Sequence, residues 1–151
     1  MSFSFETHSR EETISFAKKL ASFLLPGDLV LLEGDLGAGK TTLVSGVAAY
    51  LGINEKVISP TFNILKCYFK SKIPLYHIDA YRLENQNMEI GLDEYIEGDG
   101  ICFVEWPIYI ESLIPDEYLR ISITHKGGDN RGFEIEAQGE HYQKIMEELS
   151  K

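Results

Sequence analysis

The sequence is short of cysteine, of tryptophan and of long hydrophobic runs. Cys67 and Cys102 are its two cysteines, and they form no Cys-x-x-Cys pair, which favours two reduced thiols over a disulfide or a zinc site. Apolar stretches such as residues 29–32 fall far short of the roughly 20 residues that span a bilayer. Residues 1–12 form neither a basic nor an apolar signal region. We therefore expect a cytoplasmic protein that does not associate with membranes.

Positive charge is also scarce. The 151 residues include 14 Lys and Arg against 24 Asp and Glu, a formal net charge of -10. An acidic surface repels phosphate backbones, which argues against binding nucleic acid through a broad basic face. Any role on RNA would need a partner protein. With 44% hydrophobic residues and no linker, residues 1–151 are expected to form a single domain.

The spacing of apolar residues predicts an α/β fold. Ser9 and Glu12 have the spacing of a helix capping box and precede an amphipathic helix. Residues 28–33 are typical of a central strand that is covered on both faces, and residues 40–51 of a second helix. Later elements are strands at 62–69 and 75–78 in a hairpin, an acidic helix at 88–96, a buried strand at 101–104, an antiparallel pair at 118–124 and 133–137, and a closing helix at 140–149. The pattern predicts a mainly parallel central sheet with antiparallel additions and flanking helices.

One motif carries the chemistry. The run Gly34-Asp35-Leu36-Gly37-Ala38-Gly39-Lys40-Thr41 fits G-x-x-x-x-G-K-[ST] and lies between a predicted strand and a predicted helix, the context that a P-loop requires. Its glycines let successive N–H groups point at a polyphosphate, and the helix adds its positive N-terminal end. Lys40 would bridge the β- and γ-phosphates, and the Thr41 hydroxyl would coordinate Mg²⁺. The motif predicts ATP and Mg²⁺ as ligands of a P-loop NTPase fold.

Hydrolysis needs an acidic partner for the metal and a positioned water. Glu105 follows the second buried strand and is our candidate for the Mg²⁺ carboxylate; the alternative is a solvated acid that ends a strand. Asp79 ends another strand and would hold metal water or orient the attacking water, or else cap a turn or pair with Arg82. His77 is interpreted as a packed or hydrogen-bonded histidine. Thr61 follows a proline where other NTPases have a nucleotide-sensing switch.

Four segments together resemble the bacterial TsaE (YjeE) family, a small ATPase of tRNA threonylcarbamoyladenosine biosynthesis. They are the loop from Glu33 to Thr42, Ser59-Pro60-Thr61-Phe62, the run from His77 to Leu83, and Val104-Glu105-Trp106-Pro107. The resemblance extends over nearly the whole chain. It implies slow ATP hydrolysis coupled to TsaD-like and TsaB-like proteins. Those partners would contact the tRNA and perform the threonylcarbamoyl transfer, and this chain would act on tRNA only through them.

The same resemblance assigns roles to individual residues. Arg131 matches a late basic residue near the nucleotide, Arg10 matches a position near the base, and Phe62 stands where the family often has Tyr. The expected catalytic residues are Lys40, Asp79 and Glu105, and the expected metal ligands are Thr41 and Glu105. The expected nucleotide-binding set is Asp35, Leu36, Gly37, Ala38, Gly39, Lys40, Thr41, Thr42 and Arg131.

Two other functions share the loop. A small-molecule kinase would bind ATP in the same way, although the sequence has no clear acceptor-binding lid. A nucleotide-dependent binding switch would bind ATP without significant hydrolysis. Trp106, which follows Glu105, is either an aromatic anchor for a partner or an ordinary core residue.

Overall fold

The computed structural model describes residues 2–35, 38–57, 64–84 and 91–151. Within these ranges one sheet contains seven strands. They are β1 (Ser2–Thr7), β2 (Leu29–Glu33), β3 (Leu65–Tyr68), β4 (Leu75–Asp79), β5 (Ile101–Glu105), β6 (Tyr118–His125) and β7 (Arg131–Gln138). Their order across the sheet is β1-β7-β6-β2-β5-β4-β3.

The central strands of the sheet are parallel and the outer ones are antiparallel. Strand β2 pairs in parallel with β6 on one side and with β5 on the other, and β5 pairs in parallel with β4. Strands β7 and β1 continue the sheet antiparallel beyond β6, and β3 closes the other edge antiparallel to β4. The predicted α/β class, with a parallel centre and antiparallel additions, is confirmed.

Helices cover the two faces of the sheet unequally. In the described ranges they are α1 (Arg10–Ala21), α2 (Lys40–Tyr50), α3 (Asp93–Ile96) and α4 (Glu140–Leu149). The larger core lies between the sheet and α1, α2 and α4, whereas α3 and two 3₁₀ segments cover the other face. None of the helices described is long and apolar enough to cross a membrane.

Local chemistry explains where the first helix begins. The Ser9 Oγ accepts a hydrogen bond from the Glu12 N–H at 3.1 Å, and the Glu12 carboxylate accepts one from the His8 N–H at 3.0 Å. The first contact satisfies an N–H group that a helix start leaves unpaired, and the second holds the chain that enters the helix. The predicted cap is confirmed, and so is the closing helix, whose bounds are those that the sequence predicted.

The sequence prediction missed strand β1. Its side chains alternate between the two phenylalanines, Phe3 and Phe5, and the polar Ser2, Ser4 and Glu6. The strand lies at the sheet edge and pairs only with β7 among the described strands, so its formation depends on a partner more than 120 residues away. The strand predicted at 62–69 is confirmed for residues 65–68. The helix predicted at 88–96 is confirmed for residues 93–96. Residues 62–63 and 88–90 lie outside the described residues.

Both cysteines are free thiols, as predicted. Cys67 lies half-buried in β3 and Cys102 is buried in β5. Burial raises the pKa of the Cys67 thiol and, more strongly, that of the Cys102 thiol, so both favour the protonated form.

We expect Gly46→Ala to lower the free energy of unfolding. A Cβ at this position of α2 would lie 2.5 Å from the Cβ of Ala17 on α1, so the two helices would have to separate. Overpacking costs roughly 1–3 kcal/mol, against a helix-propensity gain of about 0.5–1 kcal/mol, which leaves a net loss of about 1 kcal/mol. Urea unfolding measures it. Ala49→Ser adds one atom on the exposed side of α2 and should change stability by less than about 0.5 kcal/mol; equal effects of the two changes would contradict the packing argument.

Candidate functional site

Three acidic side chains end neighbouring parallel strands at one edge of the sheet. Glu33 ends β2, Glu105 ends β5 and Asp79 ends β4. Since β2, β5 and β4 are adjacent and parallel, their carboxyl ends meet at this edge, where doubly wound sheets bind ligands. The glycine-rich loop, defined as residues 34–41, leaves β2 at the same edge.

The first residue of the glycine-rich loop passes close to strand β6. Gly34 has φ +147°, and a Cβ on it would lie 2.5 Å from the backbone oxygen of Ile123. Gly39, with φ +115°, is the N-cap of α2. A side chain at either position would meet a clash or a strained backbone. Asp35 is exposed and Ala38 is buried, whereas Leu36 and Gly37 lie outside the described residues.

Lys40 is a buried cation within this loop. Lys40 is only 6% exposed, and its Nζ donates a hydrogen bond to the Gly34 carbonyl at 2.6 Å. The same Nζ lies 3.4 Å from Glu105 Oε1 and 4.8 Å from the centroid of the Trp106 ring. Every one of these neighbours presents negative charge or a π-face to the ammonium group. The structure thus brings together Lys40 and Glu105, two of the residues that the sequence predicted for the site.

Glu105 is buried at the centre of the site, with a different partner on each oxygen. Its Oε1 faces Lys40, and its Oε2 lies 2.5 Å from the Nε2 of His77. Burial by itself raises the pKa of this carboxyl, but its interactions with His77 and with Lys40 together outweigh burial and lower the pKa below its ordinary value. Glu105 is thus an ionised acid in the core and not a solvated strand end, which was the alternative.

Asp79 lies beside Glu105, in register with it across β4 and β5. It is buried, and its Oδ1 accepts a hydrogen bond from the Tyr81 N–H at 3.0 Å. The turn-capping alternative is therefore observed. A role in orienting water is compatible with this contact, because a carboxylate accepts several hydrogen bonds, and it stays a prediction.

Thr41 and Thr42 occupy the first turn of α2 and are half-buried. Among the described residues no group of three or more His, Cys, Asp or Glu side chains could hold a metal ion. A Mg²⁺ ion bound by Thr41 and Glu105 would therefore need further oxygens from the nucleotide and water, as Mg²⁺ commonly does.

The two predicted arginines lie on the outer side of the loop. Arg10 and Arg131 line a cavity of about 120 Å³ together with Gly39 and Thr42. A Cβ added at Gly39 would lie 3.5 Å from Arg131 Nε, so this guanidinium approaches the start of α2. Its Nη1 donates to the Gly128 and Asn130 carbonyls at 2.8 and 3.0 Å. The structure brings both arginines close to the predicted phosphate site. Thr61, the predicted switch residue, lies outside the described residues.

An aromatic patch borders the site. We define it as Tyr81, Trp106, Ile108 and Tyr109. The Trp106 ring is half-buried, with its centroid 5.1 Å from that of Tyr81 and 6.1 Å from that of Tyr109. Tyr81 and Ile108 are 48% and 65% exposed. Trp106 packs partly on the core, while two residues of the patch that it joins are exposed; its role as a partner anchor stays a prediction.

The sequence interpretation of His77 as a packed or hydrogen-bonded histidine, and not a catalytic one, agrees with its contacts. It is fully buried in β4 and bonded to Glu105. Its place beside the site could have been inferred from spacing, because side chains two apart in a strand share a face. His77 and Asp79 therefore lie on the same face as Leu75, which packs in the core that contains α2.

The comparisons with known proteins agree with one another. The family model described as "Threonylcarbamoyl adenosine biosynthesis protein TsaE" matches residues 7–133. The tRNA threonylcarbamoyladenosine biosynthesis protein TsaE of Bacillus subtilis (strain 168) is 49% identical over 145 residues, 96% of this chain and 92% of that protein. TsaE of Nostoc sp. (strain PCC 7120) is 40% identical over 131 residues, 83% and 80% of the two chains. The crystal structure of Bacillus subtilis YdiB superposes with a TM-score of 0.86 at 44% identity, covering 99% of this chain and 95% of that one.

Proposed function

Because the chain belongs to the TsaE family of tRNA threonylcarbamoyladenosine biosynthesis, we propose that it is the ATPase of that pathway. It binds ATP with Mg²⁺ at the glycine-rich loop and hydrolyses it slowly. Hydrolysis supports TsaD-like and TsaB-like proteins, which carry out the threonylcarbamoyl transfer to the tRNA adenosine next to the anticodon. This chain reaches tRNA only through those partners.

The observation that carries the proposal is the buried contact between Lys40 and Glu105. An ammonium group in the core needs anionic partners, and here it has one carboxylate oxygen at 3.4 Å and a loop carbonyl at 2.6 Å. The triphosphate of ATP offers the ammonium several charged oxygens in place of the carbonyl. Lys40 would then turn to the β- and γ-phosphates and leave Glu105 Oε1 free for the metal.

Each of the remaining residues has a role in this proposal. The N–H groups of the glycine-rich loop and the first turn of α2 bind the phosphates. Thr41 and Glu105 hold Mg²⁺, which when bound neutralises the charge that develops on the phosphate oxygens. Asp79, in register with Glu105, orients the attacking water, and Arg131 lies against the outer side of the nucleotide.

The surface properties support action through protein partners. The net charge of -10 opposes direct contact with tRNA phosphates. The aromatic patch provides the kind of exposed anchor that protein interfaces use, and Trp106 joins it to Lys40 through the 4.8 Å contact. We propose that the TsaD-like and TsaB-like proteins contact this patch and so act on the site.

Phosphate release tests the function against its two alternatives. Single-turnover release of phosphate from ATP, with and without the two partners, separates an ATPase from a binding switch. Transfer of the γ-phosphoryl group to candidate metabolites would instead show a kinase. We expect release to water that the partners accelerate; binding without release, or transfer to a metabolite, would contradict the proposal.

Trp106 is the chain's single tryptophan and should report on both events. ATP with Mg²⁺ should change its fluorescence because Lys40 moves away from its ring, and the partners should change it again. We expect Trp106→Ala to weaken partner binding, so that about 30-fold more partner is needed to stimulate hydrolysis, as loss of an interface anchor predicts, with a smaller effect on ATP affinity.

Phe69→Ala is the matched control for Trp106→Ala. Phe69 is an aromatic residue that is 64% exposed, more than the half-buried Trp106, and it contacts Tyr76 away from the aromatic patch. This variant should keep partner stimulation. If Trp106→Ala lowers thermal stability while stimulation per folded molecule stays normal, Trp106 is a core residue and not an anchor.

A further inference from the structure

His77 is buried in the middle of the sheet although it is polar. Its side chain is 0% exposed, and among the described residues its Nδ1 has no hydrogen-bond partner. Its Nε2 lies 2.5 Å from Glu105 Oε2. Apolar residues of similar volume often stabilise a core as well as a buried polar pair does, so packing alone gives no reason for a histidine at this position.

The unpartnered nitrogen indicates where the ring carries its proton. A proton on Nδ1 would be a buried donor with no acceptor among the described residues, which is costly. A proton on Nε2 instead faces the carboxylate of Glu105, which can only accept. The ring therefore donates from Nε2 to Glu105 Oε2.

This hydrogen bond fixes the direction of the second oxygen of Glu105. With Oε2 held by His77, Oε1 is directed at Lys40, 3.4 Å away, and so at the glycine-rich loop. This orientation of Glu105 does not depend on Lys40 staying in place, because His77 is on β4, which is paired on both sides, with β5 and with β3. When Lys40 turns to a phosphate, His77 still holds the carboxylate.

We propose that His77 is a positioning residue that holds the Glu105 carboxylate with Oε1 aimed at the glycine-rich loop. The role rests on the function proposed above, since it prepares Glu105 to meet the metal-bound nucleotide. His77 touches neither ligand itself. It acts as hydrogen-bonded partners of metal-binding carboxylates generally do, by fixing the orientation of the group that binds.

Two substitutions separate positioning from packing. His77→Gln keeps a side-chain N–H that can reach Glu105, whereas His77→Leu fills the space without a donor. His141→Leu is the matched control, since His141 pairs with Asp28 before β2, at the opposite edge of the sheet. Circular dichroism and thermal melting give the folded fraction of each variant, and all activities are expressed per folded molecule.

The first measurement needs no nucleotide. In the ¹⁵N-histidine-labelled full chain we expect a slowly exchanging imidazole proton on Nε2, which is absent in His77→Gln and therefore assigned to His77. Glu105→Gln should move this resonance upfield, because a neutral acceptor makes a weaker hydrogen bond. A His77 ring without a proton on Nε2 in the parent chain, or a resonance that folded Glu105→Gln leaves unchanged, would overturn the proposal.

The second measurement follows ATP binding and turnover with the partners. We expect His77→Leu to bind ATP as the parent does but to lose turnover by about 10- to 100-fold and to need more Mg²⁺, with His77→Gln recovering most of it. Turnover of His77→Leu equal to that of His141→Leu, or no recovery by Gln, would contradict positioning. A parent chain that neither binds nor hydrolyses ATP would contradict the proposed function, and the positioning role with it.

Discussion

Lys40→Ala is expected to abolish tight ATP binding. Lys40 supplies a full positive charge to the predicted phosphate site and is buried there, where water screens that charge little. Loss of two charge-assisted hydrogen bonds to phosphate costs roughly 3 kcal/mol or more, which raises Kd by a factor of about 100 or above. Isothermal titration calorimetry with ATP and Mg²⁺ measures the change.

The control for Lys40→Ala removes one lysine charge outside the glycine-rich loop. Lys126 is exposed in the turn between β6 and β7, and Lys126→Ala changes the net charge equally without touching the loop. It should bind ATP as the parent does. Thermal melting is needed for both variants, because Lys40→Ala leaves Glu105 with one buried partner fewer. A folded Lys40→Ala chain with parental affinity would show that the loop assignment is wrong.

Glu105→Gln should retain nucleotide binding and lose Mg²⁺-dependent hydrolysis. The amide keeps the shape of the side chain and its contact with His77, but it lacks the charge that holds Mg²⁺. We expect turnover at limiting Mg²⁺ to fall by about 100-fold or more. Loss of a residue that only supports a metal ligand costs about 10- to 100-fold, and loss of the ligand's own charge should cost at least as much. Steady-state phosphate release over a Mg²⁺ titration measures it.

Glu33→Gln is the matched control for Glu105→Gln. Glu33 ends the adjacent parallel strand but pairs with Arg120 at 3.1 Å and is half-exposed. This variant should keep its Mg²⁺ dependence. If Glu105→Gln also turns over normally at limiting Mg²⁺, Glu105 is not the metal carboxylate, and Asp79 becomes the leading one.

The elements around the site could be predicted because their signals are local. Four consecutive apolar residues before the glycine-rich loop indicate a strand covered on both faces, and β2 is such a strand. The loop motif itself fixes the start of α2 at Lys40. Strand β1 could not be predicted in the same way, because its polar, half-exposed residues become a strand only when β7 is beside them.

The contacts inside the site depend on strand order, which the sequence does not contain. His77 and Glu105 are 28 residues apart in the chain, and they meet because β4 lies next to β5 and parallel to it. Periodicity shows that each strand is buried but not which strands are neighbours. For the same reason the position of Arg10 and Arg131 beside Gly39 followed only from the family resemblance and not from any spacing.

The measurement that tests the proposed function most directly is ATP turnover by this chain alone and then with the TsaD-like and TsaB-like proteins added together. We expect slow, Mg²⁺-dependent phosphate release from the chain alone, a faster rate when both partners are present, and loss of both rates in Lys40→Ala. No release above background with or without the partners, or a partner-stimulated rate that Lys40→Ala leaves unchanged, would contradict an ATPase acting from the glycine-rich loop.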